Sequence, residues 1–472
     1  MEVLSKYLRN LCQHPHVSHH PKCHALNLTH LIFADDLMIF TRGDLPSVAA
    51  VSDALHEFAQ VSGLFANPDK TNVYFGRVPP YPQEKILNTT GFTKGSFPFR
   101  YLGLPLNTVR LSTAMFDPLV IAVQKAVTHW SAHLLSYAGK VQLLNSVVLG
   151  LTTFWCSSVS LPRHITKKIS KLCKDFFWGI HCGERRHVFK SWKDISSPLS
   201  TGGFNIKDLE VWNISLLSRW VYLLAQNHSG LWAHWVQHYT FKGSDIWHIQ
   251  SKIYFPYSFK AILIARDLLL SRAGSIFNAQ TLMHSWSAAG KMSLHHAYLF
   301  LRNAPAAGPW TCSLTHSSIS PSHKIICSFA VQNQLATLDN LHRRGICHVR
   351  RCVLCETNLE TCDHLFFHCP FSRAIWQALL HWMGILRHGK GLMEEMLYRS
   401  SYGVKHWRHV WFMVSLVAAV HQLWAERNRR IFQGTKQPYR GLVQKIKYLV
   451  SVRMFLWHSL PDYKRIVASI CS

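Results

Sequence analysis

"HLIFADDLMIF", residues 30–40, sets Asp35 and Asp36 side by side between two short apolar runs. Adjacent carboxylates repel, and placing them beside apolar surface adds a desolvation cost. The order predicts a β-hairpin, with Leu31 to Phe33 and Leu37 to Phe40 as strands and the acids at the turn. Such a turn suits a two-metal centre, in which Mg²⁺ ions roughly 3.5–4 Å apart clamp the attacking and leaving oxygens of phosphoryl transfer. It also suits an ordinary solvated Asp-Asp turn, so the neighbourhood has to decide.

That neighbourhood is α+β. "MEVLSKYLRN" and "SVAAVSDALHEFAQVSG" have helical spacing, the second closed by Gly63, whereas "TNVYFGRV" and "FPFRYLGLPL" look extended. From about 112 to 235 the pattern turns helical and basic. "MFDPLVIAVQKAVTHWSAHLLSYAGKVQLLNSVVLGLTTFW" predicts helices broken at Gly139 and ended before Pro162. "HITKKISKLCKDFFWG" predicts another, with lysines on one face. "SSPLSTGGFNIKDLEVWN" is a glycine-punctuated loop leading into the helix "ISLLSRWVYLLAQ". Residues 236–293 read as mixed helix and loop, and the chain is helical again from 371. The fold class is therefore α+β and predominantly helical.

The 472 residues are 48% hydrophobic, enough for the cores of two to four domains and too much for a disordered chain. Lys and Arg number 51 against 24 acids, a formal net charge of +27 that points to a polyanionic partner. Residues 1–110 hold 10 bases and 8 acids, so about +25 of that charge lies beyond the Asp segment. Most of the 17 Trp are interleaved with those bases, a pattern that suits base stacking and equally a helical core. The longest apolar stretch, "VWFMVSLVAAV" at 410–420, is too short to span a bilayer and predicts a buried helix, so no membrane partner is expected. No secretory leader opens the sequence. A nuclear or cytoplasmic protein is expected, not a secreted one, with its 13 Cys as reduced thiols or metal ligands.

One cysteine group has metal-ligand spacing. "CVLCETNLETCDHLFFHCPFSRAIW" gives Cys352, Cys355, His364 and Cys369 as C-x2-C-x8-H-x4-C, two donors on one knuckle and two from a following helix or loop. Four protein ligands close a tetrahedral shell, so a Zn²⁺ ion there would be structural. Cys347, Cys362 and His368 lie near enough to replace one of the four. Just before the knuckle, "LHRRGICHVRRC" supplies Arg343, Arg344, Arg350 and Arg351, which suit contact with phosphates and equally a solvated loop. The histidine-rich "HPHVSHHPKCH" at 14–24 lacks regular ligand spacing and reads as a solvated loop, and no phosphate-binding, nucleophile-elbow or HExxH motif occurs.

Taken in order, these stretches resemble the reverse transcriptases of non-LTR (LINE-type) retrotransposons, those of plants above all. "FADD" at 33–36 resembles the metal-binding palm hairpin, and "SGLFANPDKT" the segment after it, with Ser62, Gly63, Leu64, Asn67 and Lys70 matching. "FRYLGLPL" resembles the primer-gripping turn, where Tyr101, Leu102 and Gly103 match. "LLSYAGKVQLLNSVV" resembles the first thumb helices, and "FFWG" with "TGGFNIKDLEVWN" the helical region beyond. "ETCDHLFFHCPFSRAIW" resembles the zinc-binding domain that follows, and the likeness reaches "LWAERNRRIF" in the tail; it is weakest over 236–293.

The resemblance implies a partial right-hand polymerase palm over 1–110, a helical thumb and connection over 111–235, and a linker or connecting region over 236–293. It places a small CCHC zinc module over 294–378 and a helical tail over 379–472. It implies RNA and DNA as partners, Asp35 and Asp36 as ligands of catalytic Mg²⁺ in the complete polymerase, and Lys70 near the phosphates of the incoming nucleotide. The family's third carboxylate comes from an upstream strand. Here the only acid before Asp35 is Glu2, in "MEVLSKYL", so a chain without polymerase activity of its own is expected. Two other readings stay open: a polymerase whose N-terminal part is a separate or missing partner, and a non-enzymatic zinc-dependent nucleic-acid-binding protein.

Overall fold

The computed structural model describes residues 2–11, 17–109, 111–130, 135–179, 188, 190–227, 229–303, 308–398 and 406–455. Among the described residues helices dominate, and the strands form four separate two-stranded pairs. The described residues pack into two units, each assembled from separated stretches: 1–118, 155–162 and 213–297 in the first, 119–154, 163–212 and 298–472 in the second.

In the first unit, helix Glu2–Leu11 buries Leu4 and Leu8, and Tyr7 donates its hydroxyl proton to Glu57 of helix Leu45–Ser62. That second helix starts where the Asp44 carboxylate accepts the Ser47 amide and stops at Gly63, which takes the left-handed backbone that a side chain resists. The expected hairpin is present, but only one of the acids sits at its turn: His30–Phe33 pairs antiparallel with Asp36–Ile39, so Ala34 and Asp35 form the turn and Asp36, opposite Phe33, begins the second strand. A second hairpin, Phe99–Tyr101 with Leu104–Leu106, turns through Leu102 and Gly103, both at positive φ, as a two-residue primed turn demands. "TNVYFGRV" yields only the short strand Asn72–Val73, which pairs in parallel with Thr93–Lys94 across helix Pro80–Thr90.

The sequence leaves 236–293 without a regular assignment, yet helices Tyr257–Ala273 and Ile276–Ser285 lie there. The longer one buries Phe259, Ala261, Ile262, Leu263, Ala265, Arg266 and Leu269, so it is covered on several faces and shows no single apolar stripe. Buried Arg266 donates to the carbonyls of Ile246 and Ile249 at 2.8 and 2.6 Å and pairs with Asp267.

In the second unit the predicted break at Gly139 moves. Ser136 caps helix Tyr137–Leu143 by accepting the Gly139 amide, so Gly139 lies within the first turn. Helix Arg163–Trp178 forms as expected, its lysines outward and Ile165, Ile169, Cys173, Phe176 and Phe177 inward. In "TGGF", Gly203 is obligatory: an added Cβ would lie 2.0 Å from the Ser197 carbonyl oxygen. The Gly202 carbonyl accepts from buried Lys190 at 2.9 Å, and Lys190 also donates to Gln332. Helix Trp407–Gln433 buries every residue from Val410 to Val420 and carries helix Tyr439–Phe455 alongside it. Burial of each large apolar side chain contributes about 1.5–3 kcal/mol, which makes this helix the axis of the unit. No described helix is long and apolar enough to cross a membrane.

Candidate metal centre

The knuckle is a small hairpin loop. The Cys352 amide donates to the Asn358 carbonyl and the Glu356 amide to the Cys352 carbonyl, both at 2.7 Å, with Glu356 at positive φ and Arg351 bridged to Leu359. The other two donors flank one wide helical turn, His364–His368, closed by the Cys369 amide on the His364 carbonyl at 2.7 Å. A turn with i to i+5 bonding brings His364 and Cys369 to the same side, which explains their spacing. Cys369 then caps helix Pro370–Trp382.

Cys352, Cys355, His364 and Cys369 place one donor atom each within 4.8 Å of one another. The Cys352 and Cys369 sulfurs are 4.0 Å apart, and the Cys355 sulfur is 3.3 Å from His364 Nε2. Bonds of about 2.3 Å to sulfur and 2.0 Å to nitrogen give tetrahedral edges of roughly 3.5–3.8 Å, so small shifts suffice to seat zinc. The chemistry of the donors agrees. The proton shared with Cys352 pulls Cys369 down to about 6 against its burial, helped by the amides of Ser372 and Phe371, and raises Cys352. Cys355 also lies below the ordinary thiol range: burial opposes this, but the Asn358 and Thr357 amides, the Thr357 hydroxyl and His364 outweigh it. By contrast burial pushes Cys156, Cys173, Cys327 and Cys362 up to about 12, the mark of inert core thiols. The four donors thus fit a structural zinc ion.

The three alternative ligands point elsewhere. Cys347 donates to the Val349 carbonyl at 3.5 Å, Cys362 is a buried thiol, and exposed His368 faces the Asp363 carbonyl at 3.1 Å.

The support behind the knuckle comes from residues far apart in the sequence, which no local pattern brings together. Glu360, fully buried, accepts the Leu338 amide at 2.9 Å and two bonds from Arg427 at 2.8 and 3.1 Å. It ties the knuckle hairpin to helix Trp407–Gln433, and only the dense charges of "ERNRR" signalled it. The four arginines before the knuckle are exposed, but Arg343 and Arg350 share Asp339, at 2.9 and 3.9 Å, and Arg344 donates to the Val188 carbonyl.

The acid hairpin differs. Asp35 and Asp36 are exposed, as is Phe33 beside them, and among the described residues no further Cys, His, Asp or Glu completes a cluster of three donors with them. Lys70 stands exposed in a turn held by its own amide on the Asn67 carbonyl. Tyr101 is half-buried, Leu102 and Gly103 form the turn described above, and His14 and His16 lie outside the described residues.

Residues 292–376 match the family described as "zinc-binding in reverse transcriptase", a span that contains all four donors. The chain is also 24% identical over 129 residues to a protein of Arabidopsis thaliana named "Putative ribonuclease H protein". That likeness covers 27% of this chain and 21% of the relative's length. The chain therefore carries a zinc-binding segment of reverse-transcriptase type, consistent with descent from a retrotransposon.

Proposed function

We propose that this chain is the C-terminal region of a LINE-type reverse transcriptase, running from the palm hairpin through thumb, connection and zinc module to a helical tail. In this reading it binds RNA and DNA with little regard to sequence and does not polymerise alone. The observation that carries it is the Cys352, Cys355, His364 and Cys369 cluster inside the segment matched by the reverse-transcriptase zinc-binding family. The net charge of +27 supplies the affinity for phosphate backbones, and zinc holds the fold of the module that presents exposed Arg343, Arg344, Arg350 and Arg351. Asp35 and Asp36 keep the palm role of holding Mg²⁺ in a complete polymerase, where another carboxylate finishes the site.

Fluorescence anisotropy with single-stranded RNA and duplex DNA tests the binding. Affinity should fall by about a factor of 10³ or more between 50 and 200 mM salt. A flat salt response would remove the electrostatic basis of the reading. Template-primer extension in Mg²⁺ should be undetectable; extension abolished by Asp35→Ala would instead favour a working polymerase.

A further inference from the structure

Beyond the matched segment, the tail helix Trp407–Gln433 sends Arg430 back to the knuckle. Its Nη1 donates to the carbonyls of Leu354 and Val353 at 3.0 and 3.4 Å, the two residues between Cys352 and Cys355. Those carbonyls belong to the peptide units whose opposite ends are the amides of Cys355 and Leu354, and both amides face the Cys352 sulfur. In a trans peptide the C=O and N–H point in opposite directions, so a cation held at the oxygen end aims and polarises the N–H end. Arg430 also lies over the Phe371 ring, 4.6 Å from its centroid, and the Phe371 amide faces the Cys369 sulfur. The guanidinium is fixed from behind by fully buried Glu426, which accepts from Arg430 Nε at 2.9 Å and also from Arg429 and the Gln437 amide. Only 7% of the Arg430 side chain is exposed.

We propose that Arg430, braced by Glu426, is a positioning residue of the metal centre: it orients the knuckle peptides whose N–H groups stabilise the ligating sulfur of Cys352, and so slows metal release. The proposal rests on the Cys₃His reading of the centre. It makes the tail helix part of the metal-binding module, beyond the limit of residue 376 set by the family match. Arginine suits this place because one planar group reaches two carbonyls, one carboxylate and an aromatic face together.

The test uses the full chain loaded with zinc or cobalt(II). Zinc transfer to a chromogenic chelator gives affinity and release rate, and the cobalt spectrum reports the electron density on the sulfurs. Arg430→Met should weaken zinc binding by about 10-fold or more. It should also move the sulfur-to-cobalt charge-transfer band to lower energy, because a sulfur stripped of aligned N–H dipoles donates more readily. Arg430→Lys, which keeps the charge on a point donor, should fall between Met and the unaltered chain. Arg429→Met, which leaves the knuckle carbonyls bound, should match the unaltered chain in both readouts.

Unchanged affinity and band position in Arg430→Met and Arg430→Lys would overturn the proposal. An equal loss in Arg429→Met would overturn it too, since the effect would then belong to Glu426 pairing in general. If circular dichroism shows Arg430→Met unfolded, Arg430→Lys decides: a several-fold faster release with the band shift supports the role, and identity with the unaltered chain ends it. Failure of the unaltered chain to take up either metal overturns the centre itself, a result separable from all of these.

Discussion

Two places in this chain gather groups that bind metals, and they are built in opposite ways. The acid hairpin offers two neighbouring carboxylates, one from its turn and one from the strand start, both exposed, with no third donor grouped with them among the described residues. The knuckle brings four donors from two separate turns, aims backbone amides at the sulfurs, and anchors the loop through Glu360 to Arg427, 67 residues further on. Two neighbouring ligand residues are not by themselves a metal centre, which needs structure that holds the ligands when the metal is away. The second region has that structure within one unit of this chain.

The largest expected effect breaks the knuckle. Cys355→Ser, or chelation of the metal, removes a contribution on the order of 10 kcal/mol to a small module. Limited proteolysis should then open the chain around residues 338–370, and zinc content should fall to zero. Next comes Glu360→Gln, which leaves Arg427 buried with a neutral partner and should cost about 3–5 kcal/mol, read as a lowered urea midpoint for the second unit. A midpoint unchanged by that substitution would mean that the backing described above does not hold the knuckle.

Acid sharpens the contrast further. Burial lowers His323 to about 3, helped by its neighbour His421, 4.3 Å away between ring centres, and by Arg453; burial and Lys445 lower His421 as well. The unfolded chain therefore binds protons on these groups near the ordinary value of 6.5 while the folded chain does not. The His323 contribution is complete above about 6.5 and is lost as the pH falls from there toward 3, and that of His421 is lost in the same direction. Zinc release also follows acid, so the informative quantity is a difference: His323→Leu should show a shallower loss of stability between pH 6.5 and 4 than the unaltered chain. Parallel curves would show that His323 does not contribute to the acid sensitivity. The smallest effect belongs to the hairpin, where Asp35→Ala and Asp36→Ala should each change the urea midpoint by less than the equivalent of about 0.5 kcal/mol. A larger loss would show that the pair has a structural role of its own.

How much of this was legible depends on the range of the forces involved. The hairpin at 30–40, the cap at Gly63 and the buried stretch 410–420 follow from local patterns, and the sequence reads them directly. The four zinc donors were legible because ligand spacing is itself local, confined here to eighteen residues. Helix Tyr257–Ala273 was not, because a helix covered on several faces loses the stripe that marks it. The break assigned to Gly139 was displaced because Ser136 caps the helix three residues earlier. Glu360 with Arg427, and Asp339 between Arg343 and Arg350, are pairings that only the folded chain creates. The arginines before the knuckle look like a bare cationic run in the sequence and are partly compensated in the fold.

The most direct measurement is X-ray absorption at the zinc edge on the purified full chain, alongside its metal content. One zinc per chain is expected, with three sulfurs at about 2.3 Å and one nitrogen at about 2.0 Å, lost in Cys355→Ser and retained in Asp35→Ala. A chain without zinc, or zinc held by oxygen and nitrogen alone, would contradict that expectation.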